Sequence, residues 1–225
     1  MEKYLSSKEV YNILVSNNEI LNIYTEIEKR EVRECDWAFH NIEHVKNVSK
    51  IAEKILNDLN FDEEIIYDCK IACLLHDVGA LEGKEGHALR SYEYAKKLFK
   101  EKKLFFKDSE LVLDAIKNHS AGFETENVVT LSIILADKLD ITKKRITKEG
   151  IKVIGNRQYF HIEDVMINIA EKKMTINFLT DGNMDIKETN EYYFTKKVFK
   201  AVEAFSNKLK LKYNILLDNE KWDLE

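Results

Sequence analysis

Up to about residue 149, apolar residues recur at the three-and-four spacing that lines one face of a helix. Val10, Ile13, Leu14, Ile20, Leu21, Tyr24 and Ile27 predict one or two helices ending near Arg33, opened by Ser6 and Glu9 as a capping box. Val45, Val48, Ile51, Ala52, Ile55, Leu56 and Leu59 form a second stripe that begins beside His44. The run "DEEIIYDCKIACLLHDVGA", with Asp62 as a candidate cap, is apolar on nearly every side from Ile71 to Leu75 and stops near Gly79. A helix apolar all round is a buried helix. Ala88, Tyr92, Ala95 and Leu98 mark a further helix, and Asp108 or Ser109 caps another that ends at His119. From Val128 a mostly apolar helix turns charged at Asp137. Residues 1–149 thus read as one helical domain.

After "KEGIKVIGNRQ" the period changes. Val165, Ile167 and Ile169, then Met174, Ile176 and Phe178, alternate on both sides of "AEKK", which predicts a β-hairpin. A long helix from about Thr189 carries Phe194, Val198, Phe199, Val202, Phe205 and Leu209. The expectation is a mainly α protein, with residues 150–225 a ββα appendage packed on the helical domain.

Composition narrows the function. Seven glycines and no proline among 225 residues disfavour a sandwich of many tight turns. The net charge is −5 and no long basic run is present, so a nucleic-acid polymer is not expected as a partner. A small phosphorylated ligand needs only a few local cations and stays open. No apolar run has transmembrane length and the first residues lack a signal-peptide core, so no membrane partner is expected and a cytoplasmic protein is. Three cysteines are an odd count, and Cys69 and Cys73, four apart on the apolar helix, read as core residues.

Against this background certain polar residues stand out. His76 and Asp77 close the apolar helix, and a carboxylate there needs a cation or hydrogen-bond donors nearby. Asp137 closes "LSIILAD" in the same way, His119 closes "LVLDAIKNH", and His44 opens its own amphipathic helix. Each alone reads as a cap or a core residue, as His161 does. Together they place metal-type ligands at the ends of four helices, the way helical proteins build a site from distant segments.

The order His…His-Asp…Asp resembles the HD-domain metal-dependent phosphohydrolase superfamily. "HVKNVSKIAEKIL", "ACLLHDVG", "GHALRSYEYAKKL", "AIKNHS" and "ILADKLD" resemble its ligand-bearing strings, over roughly residues 35–146. The resemblance implies an HD helical bundle in which His44, His76, Asp77 and Asp137 hold one metal. Asp77 then bridges to a second, held by His87 and His119. It implies Fe or Mn, with Zn, Ni, Co or Mg also compatible with imidazole and carboxylate donors. It implies hydrolysis of a phosphomonoester or phosphodiester, of a nucleotide, by a metal-held hydroxide. "HNIEH" is similar to the string of HD-fold cyclic-nucleotide phosphodiesterases in which the first histidine, here His40, is the general acid and the second, His44, a ligand. Asn41 between them reads as an N-cap.

Two departures bear on substrate. Ala80 stands where many members carry a lysine three residues after the His-Asp aspartate, so a phosphate-binding cation must come from elsewhere; Lys138 and Arg145 are the candidates. The paired acidic residues of guanosine tetraphosphate hydrolases are also missing. Two other readings share the ligand set: an HD-type di-iron oxygenase, and a non-catalytic signalling or scaffold module whose appendage forms a partner or homodimer surface.

Overall fold

A computed structural model describes residues 4–224. The helical part opens with α1 (Ser7–Val15), whose N-terminus carries the expected capping box between Ser6 and Glu9. It is followed by α2 (Asn18–Glu34), so the first apolar stripe covers two helices; α2 ends at Cys35 in a left-handed conformation. Then come α3 (Ile42–Asp58), α4 (Glu63–Leu75), α5 (His87–Glu101), α6 (Ser109–Asn118) and α7 (Val128–Leu139). Asn41 caps α3, its side chain accepting from the His44 backbone N–H. Asp62 and Asp108 occupy N-cap positions of α4 and α6 without a side-chain capping bond.

The helix that read as apolar on nearly every side and the one that read as mostly apolar are buried for different reasons. α4 lies inside the helical unit, packed by α1, α3, α6 and α7. α7 lies between two cores. Val129, Ile133 and Ala136 belong to the core shared with α4. Leu131, Ile134, Leu135 and Leu139 belong to a second core with Tyr159, Phe178, Val202 and Phe205. Burying each such side chain contributes roughly 1.5–3 kcal/mol. The last third of the chain therefore rests on α7, the helix that delivers Asp137.

The hairpin forms as expected. β1 (Ile162–Ala170) and β2 (Lys173–Thr180) are antiparallel, with Ile167 opposite Ile176 and Ile169 opposite Met174. The turn residues Glu171 and Lys172 both have positive φ, as a tight two-residue hairpin turn requires. The expected long helix divides into α8 (Ile186–Glu191) and α9 (Tyr193–Leu209). The ββα expectation was incomplete. The chain continues into β3 (Lys212–Leu217), parallel to β2, and β4 (Glu220–Lys221), which gives a four-stranded sheet in the order β1-β2-β3-β4. Among the described residues no helix is long and apolar enough to cross a membrane.

Candidate metal centre

Asp77 stands at the centre of the site, one residue past the C-cap of α4, and its two oxygens face different histidines. Oδ2 is 2.9 Å from His76 Nε2 and 3.4 Å from His44 Nε2. Oδ1 is 3.2 Å from His87 Nε2 and 3.6 Å from His119 Nε2. Two groups, His44-His76-Asp77 and Asp77-His87-His119, each offer donor atoms that lie within 4.8 Å of one another. Asp137 stands beside the first group, Oδ1 3.2 Å from His44 Nε2, while its other oxygen pairs with Lys138 at 2.5 Å.

Each of the four imidazoles is fixed through its Nδ1. His76 donates to the Cys73 carbonyl at 2.8 Å, His119 to Ile116 at 2.8 Å and His87 to Lys84 at 2.7 Å. His44 donates to the Asp140 carboxylate at 2.7 Å, and Asn47 supports the other Asp140 oxygen. A neutral imidazole that donates from Nδ1 presents the Nε2 lone pair, and such an arrangement orients ligating histidines. His44 Nε2, His76 Nε2 and Asp77 Oδ2 are buried and have no hydrogen-bond partner. Buried polar atoms without a partner are costly, so three of them converging on one point fit the donor set of a bound cation. This donor set of imidazole and carboxylate suits a divalent transition metal.

His87 reaches the site because the chain after α4 tightens into a 3₁₀ turn over Val78–Glu82 that packs against the start of α5. Gly79 permits that approach: a Cβ there would lie 2.4 Å from the His87 carbonyl oxygen. Ser91 Oγ accepts from the Gly79 N–H, and Arg90 donates to the Gly79 and Gly83 carbonyls.

The electrostatics follow from burial and crowding. Burial would raise the Asp77 carboxyl, but His76 and His40 beside it hold it well below the usual range. For Asp137 burial likewise opposes, and Lys138 and His44 pull it well down. Burial lowers His119 to about 4, with Asp77 offsetting only part. Burial acts the same way on His44 and is outweighed by its carboxylate partners, which lift it to about 9.

His40 is buried and neighbours this centre, its ring centroid 6.0 Å from that of His44 and 6.4 Å from that of His87. Its Nδ1 lies 2.6 Å from Glu31, which also accepts the His40 backbone N–H. That leaves Nε2 as the nitrogen available to a substrate. Glu31 is fully buried, and burial raises its carboxyl to about 7. Burial holds His40 well below its ordinary value.

A cleft opens over Asp77, His119 and Asp137. Lys138 and Arg145 both line it, as the sequence suggested for phosphate contacts, but each already serves a carboxylate. Arg145 lies against His44, Asp137 and the Asp140 carbonyl. Lys84 and Lys197 also line the cleft, and among the described residues neither has a carboxylate within 4.0 Å. Sequence reasoning passed over Glu31, Asp140, Lys84 and Lys197, all of which lie among ordinary-looking surface charge. His161 lies outside this cluster, paired with Asp181 at 3.0 Å.

Residues 41–149 match the family model of the HD domain. Among solved structures the chain is similar to the crystal structure of a predicted HD superfamily hydrolase from an uncultured Thermotogales bacterium. The identity is 25%, over 60% of this chain and 80% of that one, with a TM-score of 0.43. None of the curated proteins matches.

Proposed function

Starting from the chain's membership of the HD-domain family through residues 41–149, we propose that it is a metal-dependent phosphohydrolase acting on a phosphomonoester or phosphodiester of a nucleotide. The observation that carries the proposal is the convergence of His44 Nε2, His76 Nε2 and Asp77 Oδ2, all buried and all without a partner. His44, His76, Asp77 and Asp137 would hold one divalent metal, and Asp77, His87 and His119 a second, with Mn or Fe best suited. When bound, such a pair acidifies water and neutralises charge on a phosphoryl group.

The chain's own residues supply the rest. Asp77 presents one oxygen to each half of the centre and so fixes their spacing. Asp140 and three main-chain carbonyls hold the imidazoles in the tautomer that leaves Nε2 free. Lys84 and Lys197 offer positive charge in the cleft that no carboxylate neutralises, which a phosphate would use. His40, held by Glu31, places Nε2 where a leaving oxygen can take its proton.

The test is phosphate release from a panel of nucleoside monophosphates and cyclic nucleotides, with protein loaded with Mn or Fe. Turnover that is lost in Asp77→Ala and indifferent to O2 supports the reading. Iron-dependent O2 consumption without phosphate release replaces it with the oxygenase. Neither activity in the metal-loaded protein leaves the non-catalytic module.

A further inference from the structure

The metal centre and its ligands all lie within the first 140 residues, yet the wall of the cleft opposite them comes from the last third of the chain. Tyr192, Tyr193, Phe194 and Lys197 line it from the start of α9. Trp37, from the loop between α2 and α3, lines the same cleft. A neighbouring cavity is bounded by Asp36, Trp37, Ala38, His40, Lys84 and Tyr193, and shares all of these but Asp36 with the cleft; Asp36 is itself paired with Arg30. Trp37 is 46% exposed and Tyr193 49%, each between half-buried neighbours.

The Trp37 backbone and the Tyr192–Tyr193 pair are tied to one connecting segment. The Trp37 carbonyl accepts from the Thr147 N–H at 3.2 Å and from Asn156 Nδ2 at 3.4 Å. The next residue, Ala38, bridges to Ile146. Tyr192 packs on the same segment, its hydroxyl donating to Asn156 Oδ1 at 3.4 Å. A Cβ at Gly155, which has φ +80°, would lie 2.4 Å from the Tyr192 ring. Tyr193 packs edge-on against Tyr192, centroids 4.8 Å apart, and Lys197 Nζ sits 5.4 Å from the Tyr193 ring centre. Exposed aromatic rings set in place before a ligand arrives favour stacking, because little ordering remains to be done on binding.

We propose that Trp37 and Tyr193 form the subsite for a planar aromatic ring, the base of a nucleoside phosphate whose phosphate lies between Lys84 and the metal centre. Residues 146–197 are then the specificity element of the enzyme. The inference rests on the phosphohydrolase reading for its choice of a nucleotide phosphate, and adds the residues that would hold the base.

The experiment uses intrinsic fluorescence. The chain has two tryptophans, and Trp222 is buried, so the difference between wild type and Trp37→Phe isolates the Trp37 signal. Wild-type protein in Mn2+ is titrated with adenosine 5′-monophosphate and, separately, with ribose 5-phosphate. The expected result is saturable quenching of Trp37 by the nucleotide, about tenfold weaker binding of the ring-free ester, and about tenfold weaker nucleotide binding in Tyr193→Ala. Tyr193→Phe, which keeps the ring, should bind as wild type does. Equal binding of the two esters, no effect of Tyr193→Ala, or no binding of either at millimolar concentration overturns the subsite. Phosphate release by wild type and Asp77→Ala, measured in parallel, reports on the hydrolase reading separately: an enzyme that turns over ribose 5-phosphate and the nucleotide alike keeps that reading and loses this one.

Discussion

His87 and His119 meet nitrogen to nitrogen, Nε2 to Nε2 at 2.9 Å, while the Nδ1 of each donates to a main-chain carbonyl. Two lone pairs cannot face each other at that distance without a cation between them. Burial opposes charge on His87, but its contact with Asp77 outweighs this and raises the imidazole above its ordinary value. His87 and His119 would together hold the second metal proposed here. His119→Ala should therefore reduce the metal content from two per chain towards one and leave the His44-His76-Asp77 group filled. Elemental analysis of the purified variant checks this. Because the histidines must be neutral to ligate, affinity should also fall in mild acid.

Asp140 acts through His44. The carboxylate accepts from His44 Nδ1 at 2.7 Å, and Asn47 anchors its other oxygen. Asp140→Ala should weaken metal binding by about 10–100-fold, as loss of an orienting partner commonly does. Asp140→Asn, which keeps an oxygen acceptor, should lose less. Competition with a chelator gives the two affinities, and circular dichroism establishes that both variants fold.

The Glu31–His40 pair predicts a pH profile. Glu31 sits near 7, above its ordinary value, because it is buried, and His40 lies well below its own for the same reason. As pH falls through about 7 the pair takes up one proton, which His40 can pass to a leaving oxygen. As pH rises above it, that proton is lost. Wild-type kcat should thus decline above neutrality, and Glu31→Gln should lower kcat by about 100-fold and remove that limb. Substrates with very acidic leaving groups, which need no proton, should be nearly unaffected. Equal loss on all substrates would assign Glu31 to folding alone.

How much of this was legible in the sequence depends on distance along the chain. His76-Asp77 and Asp137 were visible because an ionisable group at the end of an all-apolar helix has no local explanation. Asn41 and the Ser6–Glu9 box were visible because capping is decided within a few residues. Glu31 was not, because "EIEKREVRE" is a run of alternating charge and its inward residue is fixed only by His40. Asp140 meets His44 across 96 positions, a pairing no periodicity records. Lys84 belongs to a glycine-flanked loop whose course no local pattern in the sequence fixes. β3 was hidden behind the longer signal of α9, although Tyr213, Ile215 and Leu217 alternate and the turn at Asp218 and Asn219 has positive φ at both positions.

Asp68 tests the fold independently of the site. It lies on α4, fully buried, with Oδ1 accepting from the Ser7 hydroxyl at 2.5 Å and Oδ2 unpartnered. Burial raises its carboxyl to about 6 from an ordinary 3.8, with Ser7 opposing. The unfolded chain therefore releases this proton first, and this group's contribution to stability is lost as pH rises towards about 6. Asp68→Asn should stabilise the protein by about 2 kcal/mol at pH 7.5, with the gain shrinking as pH is lowered from 6 towards 4. Urea unfolding at several pH values measures it, and a gain independent of pH would contradict the assignment.

The bridging role proposed for Asp77 between two metal sites carries the proposed function. Its most direct test is the metal content of protein purified anaerobically without a metal-affinity tag, by elemental analysis, beside Asp77→Ala. About two Mn or Fe per chain are expected, with loss of both in the variant. Protein that binds no metal after incubation with Mn, Fe and Ni would contradict it.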